Sequence, residues 1–311
     1  MMPSTDGPSG TRAGFVALVG APNVGKSTLM NRLVGERLSI VTPKAQTTWR
    51  KVPGILTIGD AQLVLVDTPG LLAPKDLLQR ALLIQAREAL KDADRILLIL
   101  DGTRTLGRDQ EAALEDLRSE ARVPILVAIN KVDAATPGSL EQLGRWATEF
   151  SDSRVHRISA ETGEGIEELL EELVEGLPTS PFFYPADEVA VDPVRFFVGE
   201  MVRESVFELY EQEIPYGVFT QVEEFRQGGD GRRTYIHVII YTERKSQKGI
   251  LIGEGGRAIR KLGTHARAKI EHFVGEPVYL ELWVKVLPNW KKKRAALGRF
   301  GFTVPEDDDR P

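Results

Sequence analysis

The chain has no cysteine, so disulfides and thiolate metal sites are excluded. Its four histidines are scattered and show no ligand spacing. No apolar run approaches the ~20 residues that a membrane-spanning helix needs. The polar stretch 1–11, with its Gly and Pro, lacks the apolar core of a signal peptide. These absences point to a cytosolic protein. Positive charge is also in short supply overall: the net charge is −5, which by itself argues against nucleic acid. The average hides an asymmetry, because residues 225–300 hold 17 Lys and Arg against 6 Asp and Glu. One domain is therefore expected to carry a basic binding face. A chain of 311 residues is long enough for two domains.

The strongest positive signal is Gly20-Ala21-Pro22-Asn23-Val24-Gly25-Lys26-Ser27, a G-x-x-x-x-G-K-S pattern. An apolar run over 15–19 reads as a buried strand, and a helical pattern from Thr28 to residue 34 follows; this is the context the pattern requires. Glycines let backbone N–H groups close around a phosphate chain, and the helix start adds partial positive charge. Lys26 can reach the β- and γ-phosphates, and the Ser27 hydroxyl suits Mg²⁺.

Three later strands end on polar signals. The apolar segment 62–66 runs into Asp67-Thr68-Pro69-Gly70, where a carboxylate suits a second Mg²⁺ contact and the Gly70 N–H suits a γ-phosphate. The segment 123–129 ends in Asn130-Lys131-Val132-Asp133. There the Asp133 carboxylate can accept the guanine N1–H and exocyclic amine, the Lys131 stem can cover the base, and the Asn130 amide can either meet the base edge or tie the loop to the phosphate loop. Adenine presents the wrong donors, and leaving a buried carboxylate unpaired costs a few kcal/mol. The segment 155–158 ends in Ser159-Ala160, small enough for backbone N–H groups to approach a base carbonyl. Each signal alone has a plain alternative as a strand-to-turn ending. Helical patterns over 77–90, 110–117, 140–149 and 166–174 alternate with the strands. The fold class is α/β, a doubly wound, mostly parallel sheet followed by a smaller α+β domain. The stretch 36–50 has no periodicity and reads as a mobile loop.

In that order and spacing, the phosphate loop, Gln46-Thr47-Thr48, Asp67-Thr68-Pro69-Gly70, Asn130-Lys131-Val132-Asp133 and Ser159-Ala160 resemble the P-loop GTPases of the translation-factor type. The resemblance covers about 14–176. It implies hydrolysis of GTP to GDP with Mg²⁺ held by Ser27, Thr48 and Asp67, and switch loops that order around the γ-phosphate. Lys26, Thr48, Asp67 and Gly70 would be the catalytic set, with Thr47 a second choice for the switch threonine. The GTP contacts would be residues 20–28, 67–70, Asn130, Lys131, Asp133, Ser159 and Ala160. Leu71 stands where Ras-like members carry a water-orienting glutamine. Another group, a potassium ion (K⁺) at Asn23, or a partner is left to supply that function.

The second half opens with a Pro- and aromatic-rich stretch, then a helix expected to start with Asp192 as N-cap and Pro193 at its first position. Two strand-like segments, 218–225 and 234–241, precede Ile252-Gly253-Glu254-Gly255-Gly256-Arg257, and 277–286 reads as a last strand. The G-x-x-G turn in an α-β-β-α-α-β order resembles a type II KH domain, in which such a turn clamps a single-stranded backbone. Lys245, Lys248, Ile252, Gly253, Glu254, Gly255, Gly256, Arg257, Arg260, Lys261, Trp290 and Lys291 are the candidate RNA contacts. Arg267 and Lys269 follow on the same helical pattern. A glycine-rich cap and a solvated charge run are the plain alternatives.

A GTPase domain followed by this KH domain resembles the family of ribosome-assembly GTPases. That resemblance implies binding to the 3′ end of 16S rRNA in the small ribosomal subunit, and peripheral contact with the inner face of the cell membrane. No obligate protein partner is evident, and a monomer is expected. Trp49 departs from the arginine usual after the two threonines. The expected layout is a disordered tail 1–13, a GTPase domain 14–177, a linker 178–191, a KH domain 192–290 and a basic-then-acidic tail 291–311. Two other functions compete: an RNA-binding module with a degenerate GTPase, and a GTPase docking on anionic lipids.

Overall fold

A computed structural model describes residues 10–42, 44, 47–70, 74, 76–229 and 232–305. The first domain is built on strand β1 (Arg12–Val19). Helix α1 (Lys26–Val34) follows, then the hairpin β2 (Val52–Ile58) and β3 (Ala61–Asp67), α2 (Leu77–Asp92), β4 (Arg95–Asp101), α3 (Arg108–Glu120), β5 (Ile125–Asn130), α4 (Pro137–Phe150), β6 (Val155–Arg157) and α5 (Ile166–Glu175). The six strands lie in the order β2-β3-β1-β4-β5-β6, and only β2 runs antiparallel to its neighbour.

Alternation along the central strands explains the layers. On β1, Val16 and Leu18 join a core with Leu29, Met30, Leu169 and Leu173, while Ala17 and Val19 join Leu114, Leu117, Leu143 and Phe150 on the other face. A strand buried on both faces reads as continuous apolar sequence, as β1, β4 and β5 do. In this parallel arrangement the loops after β1, β3, β5 and β6 open on one edge of the sheet, where ligands bind in such folds.

The second domain comprises α6 (Val194–Leu209), the short α7 (Ile214–Gly217), β7 (Phe219–Arg226), β8 (Thr234–Thr242), α8 (Lys245–Ile252), α9 (Arg257–Val274) and β9 (Val278–Val286). Its sheet has the order β7-β8-β9, antiparallel then parallel. Helices α6, α8 and α9 cover one face through Val202, Val206, Leu251, Leu262 and Ile270 against Ile236, Val238 and Ile240. The linker lies along the edge of the first domain: Phe183 stacks on Phe15 at 5.2 Å, and the Gln62 amide bonds the backbone of Phe183 and Tyr184.

Three expectations need correcting. Helix α6 starts at Val194 with Pro193 as N-cap and no side-chain cap, so Asp192 does not cap it. Residues 291–305 are not a tail. A turn at Trp290–Lys292 leads into α10 (Arg294–Arg299), and Leu297, Phe300 and Phe302 are buried. Only 306–311 of that stretch lie outside the described residues, as do 1–9 at the other end. Trp290 is the third correction. It is fully buried, donates its Nε1–H to the Gly217 carbonyl at 3.2 Å and sits among Trp49, Phe219 and Phe300. No base can reach it. This aromatic cluster packs on the outer face of the sheet. It joins Ile239 and Tyr241 of β8 to Leu78, Ala81 and Leu82 of α2, and so it binds the two domains together.

Candidate functional site

The phosphate loop is shaped by what cannot fit in it. Gly25 has φ 101°, and a Cβ there would lie 2.1 Å from the Asn130 Nδ2. A Cβ on Gly70 would lie 2.8 Å from the Pro22 ring. The loops after β1, β3 and β5 therefore touch through glycine. Lys26 is buried, and its ammonium donates to the carbonyls of Gly20 (3.1 Å) and Ala21 (3.0 Å). A cavity of about 440 Å³ opens over Pro22, Asn23, Lys26, Ser27, Thr48 and Gly70.

Three oxygens converge beneath it. The Ser27 hydroxyl donates to Asp67 Oδ2 at 2.6 Å, Thr48 Oγ1 donates to the same oxygen at 3.2 Å, and the two hydroxyls are 3.2 Å apart. Asp67 is fully buried, and its Oδ1 has no hydrogen-bond partner among the described residues. An unpaired buried carboxylate oxygen is costly. Burial accordingly pushes the Asp67 carboxyl up from its ordinary pKa, against the opposing pull of Lys26 and the neighbouring hydroxyls. The donor set is all oxygen, and adjacent oxygens around Mg²⁺ at ~2.1 Å lie ~3 Å apart. The residues present therefore fit a magnesium ion.

Asn130 does not face the base. Its Nδ2 donates to the Val24 carbonyl at 2.7 Å, and its Oδ1 accepts from the Ala160 N–H at 2.8 Å. One side chain thus ties the phosphate loop to the loop after β6. The Ala160 N–H is accordingly engaged by Asn130. Ser159 is buried and accepts the Thr162 N–H at 3.0 Å, shaping that loop. Thr68 bonds the Leu18 carbonyl at 2.7 Å. Lys131 has a left-handed backbone and ties its ammonium to the Asn23 carbonyl (2.6 Å) and Asp101 (2.7 Å). Asp133 stands exposed beside it in the turn 132–134. Exchanging Asp133→Asn is expected to shift preference from guanosine towards xanthosine nucleotides by about tenfold or more, because the amide turns one acceptor into a donor. A competition titration of GDP against xanthosine diphosphate checks it; an unchanged ratio would remove Asp133 from the base site.

Sequence reasoning missed several residues. Burial raises the Asp101 pKa, but its hydrogen bonds from Lys131 and Thr103 bring it below the ordinary carboxylate value. Arg104 lines the nucleotide cavity. The described residues of the loop 36–50 form no regular element, yet the loop is strapped to α6. Arg37 pairs with Glu204 at 2.6 Å, the Val41 N–H reaches Glu204 at 3.3 Å, and Lys44 donates to the carbonyls of Phe207 and Tyr210. Trp49 is buried between the domains. A signal was available: Arg203-Glu204-Ser205 interrupts the apolar pattern of α6 where core residues belong, and all three are buried. Gln46 and Leu71 lie outside the described residues.

In the second domain, α8 and α9 meet at the turn Gly253–Gly256, where Gly253, Gly255 and Gly256 all have positive φ. Lys245, Lys248, Ile252 and Lys261 lie on the two helices that flank the turn and are solvent-exposed or half-exposed. Arg257 pairs with Glu254, so the loop carboxylate neutralises one candidate cation, and Arg260 donates to the Gly255 and Gly256 carbonyls. Lys291 pairs with Glu243 at 3.2 Å. Lys269 is held by Glu204 and Glu208 at 2.7 and 2.6 Å and is not a free cation.

A phosphate cradle, an all-oxygen donor set and an N-K-x-D turn on one sheet edge define a P-loop GTPase, here joined to a KH fold. Family models agree. One described as a 50S ribosome-binding GTPase matches residues 15–131, and a KH domain model matches 213–291. The chain is 41% identical over 297 residues to GTPase Era of Rhizobium meliloti (strain 1021), covering 95% of this chain and 94% of that one. It is 37% identical over 293 residues to GTPase Era of Carboxydothermus hydrogenoformans, covering 94% and 98%. Among solved structures, a variant of Aquifex aeolicus Era bound to GDP·AlF₄⁻ superposes with a TM-score of 0.88 at 33% identity over 94% of this chain and 100% of that chain. A complex of Era with MgGDPNP and nucleotides 1506–1542 of 16S ribosomal RNA gives 0.89 at 34%, with the same coverage. The chain belongs to the Era family of GTPases, and its reaction is hydrolysis of GTP with Mg²⁺ as cofactor.

Proposed function

We propose that this chain is a GTP-gated switch that binds the 3′ end of 16S rRNA and acts in maturation of the small ribosomal subunit. The observation that carries this reading is that one loop touches both the nucleotide site and the KH domain. Thr48 meets Ser27 and Asp67, while Lys44, Thr47 and Trp49 of the same segment are held by the KH domain. The similar Era chain solved with MgGDPNP and a 16S rRNA segment supports the choice of RNA.

In this reading Lys26 and the loop N–H groups bind the phosphates, and Ser27, Thr48 and Asp67 hold the metal. Mg²⁺ would offset charge on the β- and γ-phosphates. Asn130 fixes the loop geometry, and Asp133 selects guanine. K⁺ at Asn23 is retained as part of the proposal; replacing K⁺ by Na⁺ in a turnover assay would lower the rate if it holds.

Gly253–Gly256 would admit the RNA backbone. A Cβ on Gly253 would lie 2.7 Å from that of Ala258, but Gly255 and Gly256 face open space. Gly255→Asp with Gly256→Asp therefore adds two charges without a clash, at φ values Asp tolerates. Binding of a single-stranded RNA copying the 16S 3′ end is expected to fall at least tenfold in the presence of a non-hydrolysable GTP analogue, with GTP hydrolysis retained. RNA affinity that survives the change would sink the KH assignment. Equal affinity of the unaltered protein with GDP and with the analogue would sink the gating. Salt-resistant, sequence-dependent binding separates recognition from charge attraction.

No helix among the described residues is long and apolar enough to cross a membrane. Cytoplasmic residence with peripheral contact at the inner membrane face stays part of the proposal. In the basic run at 291–294, Lys291 is paired with Glu243, which leaves Lys292, Lys293 and Arg294 to meet anionic lipid.

A further inference from the structure

We propose that Arg203, on the first helix of the KH domain, is a positioning residue for GTP hydrolysis: it holds Thr48 over the nucleotide from the other domain. The proposal rests on the reading of Thr48 as a metal and γ-phosphate contact. Arg203 is 1% exposed. Its Nη2 donates to the Thr47 carbonyl, so it fixes the peptide plane that leads into Thr48. Its guanidinium lies 4.7 Å from the Trp49 ring and 5.7 Å from the Phe207 ring. Thr48 is thus bracketed: the residue before it is hydrogen-bonded to Arg203 and the residue after it is stacked on Arg203. Glu200 orients the guanidinium through Nε at 3.0 Å and through Nη2.

Packing alone does not account for this side chain. A guanidinium this deeply buried carries a large desolvation cost, and its Nη1 has no hydrogen-bond partner among the described residues. A methionine or leucine would fill the slot more favourably. What only arginine supplies is a planar fork that donates to a backbone carbonyl while stacking on an indole. Among the described residues, the side-chain hydrogen bonds of Thr48 itself go to Ser27 and Asp67. A displacement of α6 is thereby transmitted through Arg203 to the Thr48 hydroxyl. GDP, lacking the γ-phosphate, has no use for that hydroxyl.

The test uses the full chain with Arg203→Met, which keeps length and apolar contact but removes the fork. Affinities for GDP and for a non-hydrolysable GTP analogue are measured by calorimetry over a range of Mg²⁺ concentrations, together with kcat and KM. The expected result is unchanged GDP affinity, analogue affinity lower by about ten- to a hundredfold, and a higher Mg²⁺ requirement for the analogue, since one hydrogen bond to a charged donor is worth about that much. kcat falls with it. Thr48→Ala should give a similar loss, and the double variant should lose little more, because both act through one hydroxyl. A structural role would instead lower both affinities alike or add to the Thr48 effect. Either of those results overturns the proposal, as does an unaltered GTP-to-GDP preference. If Thr48→Ala alone changes nothing, it is the metal-site reading that fails. Should Arg203→Met not fold, Glu200→Ala removes the orienting carboxylate from a partly exposed position and is expected to give a smaller loss of the same kind; no loss there overturns the proposal.

Discussion

Lys26→Ala is expected to lower GTP affinity by roughly a thousandfold, because two charge-assisted hydrogen bonds to phosphate are worth about 1.5–3 kcal/mol each. The geometry shows why nothing else can substitute. The ammonium spans the Gly20 and Ala21 carbonyls, at the mouth of the phosphate loop. Lys26 is also the first opposing charge that Asp67 feels, so truncation leaves that buried carboxylate more exposed to the cost of burial. Titration with a fluorescent GTP analogue checks the size of the loss, and an unchanged affinity would remove the phosphate-loop assignment.

The same lysine makes nucleotide binding pH-dependent. Burial lowers its pKa from 10.5 to about 8, with Asp67 pulling the other way. The unfolded chain keeps the proton up to the higher value, whereas the folded, nucleotide-free protein releases it near the lower one. Between the two the unfolded state binds more protons, so this group's contribution to stability rises with pH across that window. Bound phosphates favour the ammonium and restore the proton. GTP binding should therefore take up protons near pH ~8.5 and few near pH ~7, and affinity should decline as pH rises above ~8. Calorimetry in buffers of different ionisation heat measures the uptake directly, and Lys26→Ala should abolish it.

The first domain was legible because its signals are local. Alternating apolar strands and amphipathic helices place Lys26, Asp67, Asn130 and Ser159 at strand ends by topology alone. Asn130 illustrates the limit: two roles were open from the sequence, and only the distances to Val24 and Ala160 chose the structural one. What the sequence hid is what lies between domains. Trp49 read as a departure within a loop, and Arg203, 154 positions further along the chain, carried no reading at all. Their stacking is a tertiary fact that no periodicity encodes. Trp290 misled for the same reason. An aromatic beside four basic residues looks like a nucleic-acid surface until the sheet folds over it.

Trp290→Ala separates these two readings by the property that changes. A base-stacking tryptophan on the surface would cost RNA affinity and little stability. The buried ring observed here is expected to cost about 3–5 kcal/mol of stability, the usual range for truncating a core tryptophan. It also leaves the Gly217 carbonyl without its donor. Thermal unfolding should shift down by about 6–20 °C, while the folded fraction, saturated with the GTP analogue, should keep its RNA affinity. Trp290→Phe, which keeps a ring but not the N–H, should lose ~1–2 kcal/mol. The switch loop should register the change as well. Trp290 packs against Trp49 at 5.7 Å, so truncation opens one wall of the slot that holds the residue after Thr48. Below the unfolding temperature, Trp290→Ala should therefore weaken binding of the GTP analogue more than binding of GDP. A surface residue some 240 positions from Thr48 in sequence would have no means of doing so.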